Sequence, residues 1–125
     1  MEKHVFIGKH IVSEMYDISD KLILDNELIL NILVRGVKLS GAKCEGVLCK
    51  RFLPSGFSAV LLLSESHASV HTYPEQGALF ADAFTCGTNC NPQIIIDELV
   101  SGLSVKDYKT NIIHRGGRQD RNEAL

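Results

Sequence analysis

Three strand-like segments follow one another from Ser58 to Cys86 with almost no chain between them, and that spacing restricts the fold more than any other feature. Ser58 to Leu63 is almost wholly apolar and β-prone, so it reads as a buried strand. A polar knot, Ser64-Glu65-Ser66-His67, interrupts it. Ala68 to Tyr73 then alternates, with Ser69, His71 and Tyr73 on one side and Ala68, Val70 and Thr72 on the other. Pro74-Glu75-Gln76-Gly77 reads as a turn and Ala78 to Cys86 as another strand. Connections this short join antiparallel neighbours, because a parallel crossover needs a dozen or more residues.

The flanking sequence supplies further strands and two helices. His10 to Tyr16 mixes apolar and polar residues as a first strand. Asp25-Asn26-Glu27 offers capping chemistry before Leu28, Ile29, Ile32, Leu33 and Val37, which share one helical face, and Gly41 closes that helix. Cys44 to Phe52 is a strand candidate stopped by Pro54 and Gly56. Asn91-Pro92 forms an N-cap with proline at the first helical position, and the helix runs through Ile95, Ile96, Leu99 and Val100 to Gly102. Asn111-Ile112-Ile113 is a short last strand, and Arg115 to Leu125 reads as a flexible polar tail. The expectation is one domain over residues 1–125: an α+β two-layer sandwich, an antiparallel sheet with helices packed on one face. The other face of such a sheet is left for a partner or a second subunit.

Charge narrows the function classes. Thirteen basic residues stand against fifteen acidic ones, a formal net charge of −2, which gives no long-range pull toward nucleic acid or an anionic membrane. No apolar run approaches the ~20 residues of a membrane span, and the N-terminus lacks a long apolar stretch, so a cytoplasmic address is expected. Cys44, Cys49, Cys86 and Cys90 lack the spacing of paired zinc knuckles and read as free thiols, with no metal expected.

The chemistry concentrates between Ser58 and Cys86. Burying a polar group unpaired costs roughly 1–3 kcal/mol, so polar residues in this apolar setting need a reason. Ser58, Ser66, His71 and Cys86 offer hydroxyls, an imidazole and a thiol, the groups that move protons and attack carbonyls. Taken singly, each is ordinary: an edge serine, a half-buried histidine, a small buried thiol.

Order and spacing say more. Residues 64–75, SESHASVHTYPE, followed by Phe84-Thr85-Cys86-Gly87, resemble the signature of the prokaryotic S-adenosylmethionine decarboxylase proenzyme family. The likeness extends upstream through Arg51-Phe52 and Pro54-x-Gly56-x-Ser58 to Gly8-Lys9-His10. Tyr73 stands where the family commonly has tryptophan, and Ala78 follows Gly77 where an aromatic is usual.

The resemblance implies a self-processing reaction at Glu65-Ser66. The Ser66 hydroxyl attacks the Glu65 carbonyl, and β-elimination then releases a chain ending at Glu65. The Ser66 that remains becomes a covalent pyruvoyl group. His71 is implied as the processing base and Ser58 as its assistant. The products would be residues 1–65 and 66–125, held together by a shared sheet. The pyruvoyl ketone would form a Schiff base with the substrate amine and act as electron sink. Cys86 is implied as the acid that protonates the α-carbon, Phe52 and Tyr73 as rings around the adenine, and Glu75 as the carboxylate on the ribose. The small-molecule product would feed spermidine synthesis, and the working unit would be a homodimer. Two rivals stand beside this reading: a related pyruvoyl-dependent arginine or ornithine decarboxylase, and an unprocessed, non-enzymatic partner of an active homologue. His67, Cys49 and Cys90 read as ordinary structural side chains.

Overall fold

The computed structural model describes residues 6–117. Six strands form a single sheet in the order β2-β3-β4-β5-β1-β6, and every neighbouring pair is antiparallel. The strands are β1 (Ile7–Tyr16), β2 (Cys44–Arg51), β3 (Phe57–Leu63), β4 (Ser66–Tyr73), β5 (Ala78–Cys86) and β6 (Asp107–Gly116). Three helices, α1 (Asp20–Ile23), α2 (Asn26–Ser40) and α3 (Gln93–Gly102), complete the two-layer sandwich. Among the described residues, no helix is long and apolar enough to cross a membrane.

Local chemistry explains the boundaries. The Asp25 side chain accepts the Leu28 amide at 3.0 Å, satisfying a first-turn donor of α2. Gly41 closes α2 with φ 93°, a left-handed conformation that costs glycine little. Helix α3 starts one residue later than the proline suggests. Pro92 is its N-cap, and the Asn91 side chain accepts the Gln93 amide at 3.1 Å. Between β4 and β5 the turn is a single 3₁₀ turn over Pro74–Gln76, closed by Gly77 at φ 60°.

The helices lie on one face of the sheet. Ile29, Leu33 and Val37 of α2 and Ile95, Ile96 and Leu99 of α3 share a core with Ile11, Met15, Leu61, Val70 and Leu79. Gly36 lets the helices approach closely, since a Cβ there would sit 3.1 Å from the Ile95 Cα. In β4, Ser66, Ala68, Val70 and Thr72 are buried toward the helices, while His67, Ser69, His71 and Tyr73 face the uncovered side. Leu48, Val60, Leu62, Phe80 and Ile113 are exposed, and the strand register puts all five on that uncovered side.

Other elements differ from the sequence reading: β1 begins at Ile7 and not His10, and β4 begins at Ser66, so Ser66 and His67 belong to the strand and not to the polar interruption. The four-residue α1 was not anticipated; it is too short for any periodic pattern to show. The last strand runs from Asp107 to Gly116 rather than Asn111 to Ile113, pairing along the whole of β1. Arg115 therefore belongs to the sheet and not to a tail; residues 118–125, the rest of that segment, lie outside the described residues.

Candidate functional site

The residues of the expected cleavage site sit at one end of the sheet. Glu65 occupies the tight turn between β3 and β4 with φ 65°, a left-handed conformation that costs a residue bearing a Cβ of order 1–3 kcal/mol. Its carbonyl accepts a hydrogen bond from the Cys86 thiol, Sγ to O 3.4 Å, and the next residue, Ser66, is buried with 8% exposure. Cys86 ends β5 on the uncovered side of the sheet, in phase with Phe80, Asp82 and Phe84.

The other singled-out residues sit at the opposite end. Ser58 and His71 are paired across β3 and β4, and the Ser58 hydroxyl lies 2.7 Å from His71 Nδ1. Phe52, Ser58, His71 and Tyr73 line a cavity of about 320 Å³ there. Tyr73 stacks against Phe80 with ring centroids 4.8 Å apart, and the exposed Glu75 lies in the following 3₁₀ turn.

One chain therefore does not bring Ser66 and His71 together. They lie five residues apart on the same strand, about 16 Å at the usual rise, and an odd separation turns them to opposite faces. The expected set divides into a half-site with Glu65, Ser66 and Cys86 and another with Phe52, Ser58, His71, Tyr73 and Glu75. Cys86 of the first group and Ser58, His71 and Tyr73 of the second lie on the uncovered side of the sheet, whereas the Ser66 side chain points toward the helices.

Between them lies a polar network that the sequence reading passed over. The Asp82 carboxylate is 2.7 Å from His10 Nε2 and 2.9 Å from His67 Nε2, and it accepts a hydrogen bond from Ser69. The signal was an acid alone between Ala81 and Ala83 in an otherwise apolar strand. Burial pushes the Asp82 carboxyl up, but the hydrogen bonds from Ser69, His10 and His67 outweigh it and hold it below its ordinary value. Two imidazoles and a carboxylate form a set that could hold a divalent metal ion. However, the Arg115 guanidinium faces His10 Nδ1 at 3.4 Å, a donor where a metal-bound imidazole needs an acceptor. The arrangement fits a hydrogen-bonded network better.

The direction of that shift fixes a pH dependence. A carboxyl whose folded pKa is depressed stabilises the fold above its unfolded value of 3.8, and that contribution is lost as pH falls through the lower folded value. At neutral pH, Asp82→Asn lowers the urea midpoint. The gap between wild type and variant narrows steadily below about pH 4. A gap that stays constant into acid would assign the stabilisation to something other than the ionised carboxylate.

The residues at the cleavage end suit a carbonyl group built from Ser66, because the peptide before it is strained and a thiol already contacts its oxygen. Comparisons with known proteins identify the relatives of the chain. A family model described as S-adenosylmethionine decarboxylase matches residues 9–116. S-adenosylmethionine decarboxylase proenzyme 2 of Bacillus anthracis is 40% identical over 116 residues, covering 93% of this chain and 94% of that protein. The corresponding proenzyme of Brevibacillus brevis is 37% identical, covering 93% and 86%. Among solved structures, the adenosylmethionine decarboxylase of Aquifex aeolicus superposes with a TM-score of 0.81 at 28% identity, covering 93% of this chain and 94% of that one. A Trypanosoma brucei AdoMetDC monomer shares the fold at 12% identity and a TM-score of 0.56, covering 85% of this chain and 45% of that one.

Proposed function

The chain belongs to the S-adenosylmethionine decarboxylase family, and from that premise we propose that it decarboxylates S-adenosylmethionine through a pyruvoyl group that it makes from its own Ser66. The observation that carries this reading is the strained Glu65 backbone, φ 65°, with its carbonyl held against the Cys86 thiol directly before a buried serine.

The chain's residues perform the processing in sequence. Ser66 Oγ attacks the Glu65 carbonyl carbon and converts the amide to an ester; release of the left-handed turn offsets part of that uphill step. A base then takes the Ser66 α-proton, and elimination frees the Glu65 carboxylate. His71 is suited to base work, because its Nδ1 is tied to the Ser58 hydroxyl and its ring orientation is thereby held. Elimination leaves dehydroalanine, whose imine tautomer loses ammonia to water, giving pieces 1–65 and 66–125. Ser66, once converted, would hold the pyruvoyl group, whose ketone would supply an electron sink for an amino-acid substrate. Cys86 donates the proton that replaces the carboxylate. Phe52 and Tyr73 offer flat faces for the cationic sulfonium nucleoside, and Glu75 an acceptor for its ribose hydroxyls.

The working unit is a homodimer packed through the uncovered sheet face. The exposed Leu48, Val60, Leu62, Phe80 and Ile113 form the kind of apolar face that a second copy covers. A two-fold axis lying between the two sheets and perpendicular to their strands exchanges the strand ends, placing Ser58 and His71 of one copy over the end that holds Cys86 and the Glu65–Ser66 bond of the other. The enzyme acts in the cytoplasm on a free small molecule.

The test is carbon dioxide release from carboxyl-labelled S-adenosylmethionine, arginine and ornithine, alongside a denaturing gel. The expected result is two bands and release from S-adenosylmethionine alone. Release from arginine or ornithine instead would overturn the substrate assignment, and one uncut band with no release would remove the enzyme assignment.

A further inference from the structure

Arg115 has no role in the chemistry above, yet it lines the same cavity as Cys86. That cavity, of about 290 Å³, is walled by Gly8, Phe84, Cys86 and Arg115 at the cleavage end of the sheet. The guanidinium carbon lies 4.8 Å from the centre of the Phe84 ring, and Nη1 reaches His10 Nδ1 at 3.4 Å. His10 is fixed in turn by Asp82 at 2.7 Å. A planar cation is thus held from two sides. Among the described residues no carboxylate pairs with it. Gly8 keeps the wall of this cavity in place: a Cβ there would sit 2.5 Å from Phe84 Cε1 and 2.9 Å from the Thr85 carbonyl oxygen.

We infer that Arg115 is the residue that recognises the substrate's α-carboxylate, a reading that rests on the function proposed above. Cys86 must deliver its proton to the α-carbon, and the carboxylate hangs on that same carbon until it leaves. Any substrate placed for protonation by Cys86 therefore puts a carboxylate into the cavity that Arg115 lines. Guanidinium presents parallel N–H donors that match a carboxylate, and it stays charged at any working pH.

This contact belongs to the ground state. A cation paired with the carboxylate gains nothing when that charge departs as carbon dioxide, so Arg115 contributes affinity and not the rate of the chemical step. The product, which lacks the carboxylate, does not use the contact at all.

The test compares wild type, Arg115→Gln and Arg115→Lys as processed enzymes, with intact mass confirming cleavage. Steady-state kinetics give KM and kcat for S-adenosylmethionine, and calorimetry gives Kd for the decarboxylated product. For Arg115→Gln, KM rises about 10- to 100-fold, as loss of a charge-assisted hydrogen bond predicts. At the same time kcat holds or rises and the product Kd stays within about two-fold. Arg115→Lys recovers part of the KM because the charge is kept. If KM and product Kd rise together, or KM does not move, the assignment is overturned. Should Arg115→Gln fail to fold or process, Arg115→Lys decides by the same split between substrate and product. A wild-type protein that neither cleaves nor releases carbon dioxide would sink the function proposed above. Product binding that ignores Arg115 would still be measurable in that case.

Discussion

Ser66→Ala leaves the protein as a single chain near its full 13.8 kDa with no detectable decarboxylation, whereas the wild type yields two pieces. Alanine keeps the β4 backbone and the burial toward the helices, so the fold survives, but it removes the hydroxyl that the proposed reaction turns on the preceding carbonyl. The nearest nucleophilic side chains among the described residues do not replace it. Cys86 Sγ touches the carbonyl oxygen rather than approaching the carbon, and His67 points to the other face and is engaged with Asp82. The wild-type fragment beginning at residue 66 weighs about 17 mass units less than its serine form, the ammonia lost in making a ketone. Cleavage at the same bond in Ser66→Ala would eliminate the serine mechanism.

The second large effect comes from the split site. Alone, His71→Ala is processed very slowly and Ser66→Ala not at all. Co-expressed, the two restore cleavage, and only the His71→Ala chains are cut. A mixed dimer carries one intact site, made of Ser66 and Cys86 from the His71→Ala chain and Ser58 and His71 from the other. With random pairing half the dimers are mixed and half their sites work, so activity recovers to roughly a quarter of wild type. Intact mass identifies which chain was cut, and labelled carbon dioxide gives the recovery. No recovery on co-expression would mean that each chain builds its whole site alone.

Much of this architecture was legible because its periodicity was strong. Ser58 to Cys86 resolved into strands because alternation and short turns leave few other arrangements, and α2 and α3 announced themselves through caps and apolar stripes. The edge strand β6 was cut short in the sequence reading for a physical reason. Asp107, Tyr108 and Lys109 are all exposed, so no apolar side marks them as strand, and only pairing with β1 extends the element. The site residues came from the resemblance to a known family, but the separation of Ser66 from His71 was readable from parity alone. Ser66 and His71 differ by an odd number on one strand and cannot share a face. Arg115 was hidden by the same misplaced boundary, since a residue assigned to a tail offers no reason to look for a ligand.

The strand order β2-β3-β4-β5-β1-β6 has a consequence for the life of the cut protein. Residues 1–65 own β1, β2 and β3, while 66–125 own β4, β5 and β6, so β1 is clasped between two strands of the other piece. Before cleavage each protomer's sheet is closed within one chain, and only the pairing of protomers is a second-order event. Afterwards the sheet itself is an interlocked pair of peptides, which adds a second dependence of the midpoint on protein concentration. Recovery from denaturant then becomes a second-order search. Folding is therefore easiest before the peptide bond breaks, and the processed form is maintained by never coming apart.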